Sequence, residues 1–413
     1  MALFCVLGGV LIAALLFPVA GGLGAASNRA SESVTQGSAN IVDGDVPAVS
    51  TMVDSAGNPI AWLYVQRRFE VPSERIADTM KLAIVSIEDK RFAAHNGVDI
   101  QGTLTGLAGF LKGAGDARGG STIEQQYVKN FNLLVNAETD AEREAAVETT
   151  PTRKLREIRT ALALDTVLTK PEILTRYLNL VSFGNGSYGI QDAAKTYFGV
   201  DAAALNWQQS ALLAGLVQST SALNPYTNPQ GALDRRNLVL DTMIENLPEH
   251  ADELRAAREM PLGVLPQPNA IAQGCIAAGD RAFFCDYALE YLTKAGISKE
   301  DVARNGYLIK TTLDPKVQTA VKQAINSVAS PTLDGVASVM SVIRPGKDAH
   351  RVLAMGDNRG YGLRLEAGQT VQPQPFTLVG DGAGSIFKIF TSAAEFYFPT
   401  EPIVAPPARS EEH

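Results

Sequence analysis

From Ala2 to Ala26 no charged or hydrogen-bonding side chain occurs: glycines and Pro18 are the only interruptions of an apolar run of about 25 residues, and the first charge is Arg29. Roughly 20 such residues cross a hydrocarbon core as a helix, so this segment can span a membrane. A cleaved signal peptide competes, with Gly24, Ala25 and Ala26 as a small-residue cleavage site. The run is longer than a signal-peptide core and no basic residue precedes it, which favours a retained anchor over residues 1–26 and a start further upstream. The chain is then expected at the cell membrane, single-pass, with its bulk outside the cytoplasm.

The 413 residues, 46% of them apolar, suffice for two buried cores. A net charge of -8 without a long basic tract leaves no electrostatic footprint for nucleic acid, so any anionic ligand must be met by a local cluster. Cys275 and Cys285 stand ten residues apart, and outside the cytoplasm they can pair or remain two unrelated thiols. With four histidines in the chain and none beside either cysteine, no metal site is expected there.

Residues 27–60 are rich in Ser, Asn, Gly and Asp and read as a linker or short extended pieces. Residues 61–69 look like a strand. The pattern then turns helical: Met80, Ala83, Val85 and Ile87 form one stripe, and Leu155, Ile158, Leu162 and Leu168 another. A further helix starts at a capping box of Thr169 and Glu172 with Pro171 in the first turn, and Gly184 and Gly186 stop it. Helical signals continue over 189–198, 205–218 and 231–246. Beyond Pro266, strands are expected at 309–314, 336–343 and 351–356 with a helix at 315–328. The expected organisation is a mainly α domain at 61–250, a linker at 251–305, and an α+β segment from 306 to 413.

Three constellations carry chemistry. An apolar helix runs into Glu88 and Asp89, followed by Phe92 and His95; apolar burial lifts a carboxylate's pKa and suits it to proton abstraction. Gly119 and Gly120 precede Ser121, Gln125, Gln126, Lys129 and Asn130, a turn where backbone N–H groups and amide side chains can reach phosphate or sugar oxygens. Arg153, Lys154 and Arg156 surround Glu157 within one helical turn, the kind of cluster that meets a pyrophosphate. Each alone also fits a solvated helix end, an ordinary Gly-Gly turn or a surface salt-bridge cluster.

Taken in order, and with ILTRYLNLVSFGNGSYGI (173–190), AAKTYFG (193–199) and RRNLVL (235–240), these segments resemble the family 51 glycosyltransferases, the glycan-polymerising domains of class A, bifunctional penicillin-binding proteins. The resemblance covers about residues 75–245. It implies a lysozyme-like α-helical domain that polymerises lipid II into β-1,4-linked glycan, with release of undecaprenyl pyrophosphate. Glu88 matches the catalytic base and Glu157 the second essential carboxylate. Lys129, Arg153 and Lys154 match the positions that hold the departing pyrophosphate; Asp89, Phe92, His95, Ser121, Gln125, Gln126 and Asn130 fall on the substrate side. No cofactor is required; a divalent cation is compatible through the pyrophosphate. The implied partners are lipid II, the growing strand, the membrane, moenomycin-type inhibitors and other cell-wall synthesis proteins.

Some positions depart from that pattern. Glu124 stands where Thr is frequent, Thr175 replaces a Glu and puts the support of its helix in doubt, and Gln209 replaces a Glu. The acidic stretch 136–148 is longer than usual and reads as a surface loop facing away. The apolar segment between Asp99 and Arg118 matches a membrane-dipping jaw. The Cys275–Cys285 segment resembles a linker of actinobacterial members, which implies a disulfide.

Ser385 and Lys388 form S-x-x-K, which puts a nucleophile and an activating amine on one helical face and resembles the penicillin-binding transpeptidases. No S-x-N and no K-T-G follows before His413, so this pair is expected to be inactive. Two other readings compete with glycosyl transfer. A muramidase-type hydrolase also uses two carboxylates, but it has no pyrophosphate for the basic residues beside Glu157. A non-catalytic penicillin-binding scaffold would need neither carboxylate.

Overall fold

Residues 41–42, 44–102, 120–377, 388–389 and 392–393 are described by the computed structural model. The expected anchor, the jaw-like segment at 103–119 and Ser385 lie outside them, and among the described residues no helix is long and apolar enough to cross a membrane.

Helices make most of the first body: α1 Asp78–Glu88, α2 Ile123–Phe131, α3 Asp140–Val147, α4 Pro151–Val167, α5 Lys170–Leu180, α6 Ile190–Phe198, α7 Trp207–Leu216, α8 Pro229–Asn246 and α9 Ala251–Arg258. Their starts are written in the sequence. Thr122 caps α2, Thr150 caps α4 ahead of Pro151, and Thr169 with Glu172 closes a capping box on α5. Gln209 closes the same kind of box with Asn206 on α7, so the amide does there what a Glu would. α7 is apolar on all sides and buried from Ser210 to Leu216, so it forms the centre on which α1 and α8 pack. α2 lies against α4 and α5, with Ile123, Tyr127, Val128 and Phe131 inward.

Two small sheets edge this body. β1 Ser50–Val53 pairs antiparallel with β2 Pro59–Leu63 and parallel with β6 Leu308–Lys310. β3 Arg67–Arg68 pairs with β5 Ser187–Tyr188, which pairs in turn with β4 Ser182–Gly184. Both arginines of β3 are buried. Arg67 binds Asp192 at 2.7 Å. Arg68 donates to the carbonyls of Pro47, Asn179 and Leu180 at 2.7, 2.9 and 3.0 Å, satisfying the open end of α5. Burial lowers the Arg68 guanidinium to about 10. α5 is therefore held at its cap, along its core face and at its end, and Thr175 merely donates to the Pro171 carbonyl on the exposed side.

Several sequence expectations change here. The segment read as a linker supplies β1 and the start of β2, and the strand expected over 61–69 is two short strands in different sheets. The acidic stretch is not a loop: Thr139 and Glu142 box the start of α3, whose residues are all exposed or half-exposed. Between 251 and 305 lie α9, α10 Ala282–Lys294 and α11 Lys299–Arg304 rather than a plain linker, and the strand expected at 309–314 ends at Lys310. Cys275 and Cys285 are buried and both disulfide-bonded.

The second body comprises Asp54–Ala56, Ala278–Glu290 and the described residues from Thr311 on. In it α12 Pro315–Val328 packs Val321 and Ile325 on the antiparallel pair β7 Val339–Arg344 and β8 Arg351–Asp357. Gln318 grips β8 by both ends of its amide, accepting from Met355 N at 3.0 Å and donating to Met355 O at 2.9 Å. Lys388 is exposed.

Candidate active site

α1 ends as its apolar stripe runs out, and its last residue, Glu88, opens onto a cavity of about 720 Å³. Ser121, Gln126, Lys129 and Asn130 from α2 and the turn before it, and Arg153, Lys154 and Glu157 from α4, line the same cavity. Helical spacing explains the choice: positions 126, 129 and 130 share one face of α2, as 153, 154 and 157 share one face of α4.

The two carboxylates are held differently. Gln126 Nε2 donates to Glu88 Oε2 at 2.8 Å. Burial pushes the Glu88 carboxyl above the usual carboxylate range, opposed by that hydrogen bond and by the Arg235 charge and assisted by Asp89. Glu157, 5% exposed, is clasped by cations: Lys154 Nζ donates to its Oε1 at 2.7 Å and Arg153 Nη1 to its Oε2. Lys154 also reaches Ser121 Oγ at 2.7 Å. Four cations, Lys129, Arg153, Lys154 and Arg235, thus share the cavity with two carboxylates. It can hold a doubly charged anion beside a base of raised pKa.

Four expected substrate residues do not line this cavity. Asp89 follows the helix end with its backbone turned away (φ -157°, ψ 73°), binds His95 Nε2 at 2.9 Å and accepts from Ile123 N at 3.1 Å. Phe92 is buried in the core beneath the Lys170 ammonium, and Gln125 is buried on the inner side of α2. Conversely, Arg235, Leu238, Val181 and Ser182, with the run Val217–Ser221 after α7, line the cavity without having been singled out for substrate. Val181, Ser182, Arg235 and Leu238 lay in quoted motif runs without a role of their own; the run 217–221 lay in none, and its ordinary polar and apolar residues carry no sequence signal for a cavity.

Among the described residues, Asp89, His95 and Glu124 bring together three atoms of metal-ligating type, all within 4.8 Å. They do not fit a metal centre: His95 and the Ile123 N–H occupy Asp89, and Lys170 Nζ sits 2.5 Å from Glu124 Oε1 and 2.6 Å from Asp165. An ammonium already supplies the charge a cation would bring. That contact also accounts for an acid at position 124.

The transglycosylase family model matches residues 56–244, which contain every lining residue of the cavity. This segment of the chain belongs to the transglycosylase family. Its similarity extends to penicillin-binding protein 1A of Mycolicibacterium smegmatis (32% identity over 85% of this chain and 42% of that protein) and of Mycobacterium tuberculosis (30%, 84% and 40%). Penicillin-binding protein 1A/1B of Bacillus subtilis is 32% identical over 79% of this chain and 35% of its own length. The chain thus spans less than half the length of these relatives. A crystal structure of penicillin-binding protein 1A from Haemophilus influenzae aligns with a TM-score of 0.36 and 19% identity over 70% of this chain and 30% of that one.

Proposed function

We propose that this chain is a peptidoglycan glycosyltransferase that polymerises lipid II into β-1,4-linked glycan on the outer face of the cell membrane. Glu88 takes the proton from the acceptor 4-hydroxyl as that oxygen attacks the anomeric carbon of the donor. The bond from that carbon to the pyrophosphate breaks, the configuration inverts, and undecaprenyl pyrophosphate departs with the bonding pair. Lys129, Arg153 and Lys154 meet the charge that develops on it, and Glu157 holds the last two in place. Burial raises Glu88 towards the pH at which a base is most effective.

One observation carries the reading: a half-buried, amide-bound carboxylate and a cation-clasped one open onto a single cavity with four basic residues. The basic residues favour a transferase over a hydrolase, whose leaving group has no pyrophosphate to stabilise. Anchoring through residues 1–26, pairing of Cys275 with Cys285 and binding of moenomycin in the donor's place belong to the same proposal. The test is consumption of lipid II with products resolved by length. Long glycan and released undecaprenyl pyrophosphate are expected; intact lipid II together with shortening of preformed glycan would replace the transferase by a hydrolase.

A further inference from the structure

Behind the wall of the cavity, Gln126 makes a second side-chain bond that the chemistry above does not use. Its Oε1 accepts from the hydroxyl of Tyr177 at 2.9 Å, while its Nε2 donates to Glu88 at 2.8 Å. Tyr177 belongs to α5, is 0% exposed and does not line the cavity. The two ends of the amide agree. An ionised carboxylate accepts only, so it requires the Nε2 end of the amide. The buried phenol has to place its proton, and Gln126 Oε1 is the acceptor it meets. Asn130 Nδ2 holds the Gln126 backbone carbonyl at 2.8 Å, which leaves the side-chain amide as the part that can turn over.

We propose that Tyr177 is a positioning residue for this reaction, whose buried hydroxyl fixes the Gln126 amide in the one orientation that donates to Glu88. The inference rests on Glu88 being the base. With the hydroxyl removed, only the long bond from Nε2 to the Ser121 carbonyl, at 3.5 Å, still opposes the turn by which the amide presents Oε1 to the cavity and accepts a proton from neutral Glu88. The charged form of the base then loses a donor and the neutral form gains an acceptor. Other groups acting on Glu88 stay in place: Asp89 beside it, Arg235 from α8, and Lys129, Arg153, Lys154 and Glu157 lining the cavity. α7, which packs on α1, carries no charged side chain.

The experiment is the pH dependence of kcat/KM for lipid II polymerisation by the full chain and by Tyr177→Phe. Wild-type activity rises with pH as Glu88 loses its proton. In Tyr177→Phe that acidic limb moves to higher pH by about one unit. Gln126→Met moves it in the same direction, and the double variant goes no further than Gln126→Met alone. A limb that stays in place in Tyr177→Phe, with only the maximal rate lowered, overturns the inference, and so do additive shifts in the double variant. If Tyr177→Phe fails to fold, Gln126→Met decides: an unmoved limb overturns the inference. A wild-type chain that leaves lipid II untouched refutes the transferase itself, a result distinct from all of these.

Discussion

Glu88 is a half-buried carboxylate and Glu124 a fully buried one, and what stands beside each differs. Glu88 has an amide, a cavity and raised proton affinity. Glu124 has the Lys170 ammonium. Glu88→Gln is expected to lower polymerisation by about 10²–10⁴-fold while the melting temperature holds or rises, because a neutral amide is not penalised by burial; a variant that polymerises at the wild-type rate removes Glu88 from the chemistry. Lys170→Met strands a carboxylate that is 0% exposed and is expected to cost about 3–5 kcal/mol in urea denaturation. Adding Glu124→Gln restores most of that loss if the pair acts as described. Sequence reasoning singled out Glu88 and Glu157 from the order of their motifs, and both line one cavity. It placed Phe92 and Gln125 on the substrate side because spacing cannot tell a helix's cavity face from its core face when both are packed. Arg67 and Arg68 look like surface residues by composition, and backbone carbonyls, Asp192 and the Thr196 hydroxyl make their burial tolerable.

Among the elements, the long periodic ones were the most legible. The helix expected at 315–328 is Pro315–Val328, and those expected at 189–198 and 231–246 are Ile190–Phe198 and Pro229–Asn246. Short strands were not legible, since β1 is held by β6 from more than 250 residues away and no local pattern announces such a partner. The relation between α1 and α4 depends on one backbone position. Gly97 adopts φ +76°, a Cβ there would come within 2.7 Å of the Ala161 carbonyl oxygen of α4, and its own carbonyl accepts from Thr122 Oγ1 at 2.8 Å. Gly97→Ala therefore meets both a left-handed backbone and a backbone clash. It is expected to destabilise by about 2–4 kcal/mol and to lower kcat by displacing Glu157 from Glu88. A variant with unchanged denaturation midpoint and rate would show that α4 does not lean on this turn.

Seen as a whole, the molecule is an acidic one with a basic recess: net charge -8, yet four cations against two carboxylates at the cavity. An anionic substrate is repelled at long range and attracted at short range, so its binding depends on ionic strength in a graded way. Raising salt from about 0.1 M, where charges are screened over about 10 Å, to about 1 M, where that length falls to about 3 Å, is expected to increase KM for lipid II several-fold with a smaller change in kcat. A flat or falling KM, measured in detergent at constant lipid fraction, would mean that the recess contributes little to holding the pyrophosphate.

The Arg68 clamp also sets a schedule for biosynthesis. Its Asn179 partner lies 111 residues downstream, and at ribosomal speeds that stretch takes roughly ten seconds to make. Throughout that interval the guanidinium lacks two of its three carbonyl acceptors, Asn179 and Leu180, and the strand it belongs to lacks its partner β5. A nascent chain halted short of residue 180 is therefore a substrate for chaperones and proteases, whatever the quality of the helices it has already formed.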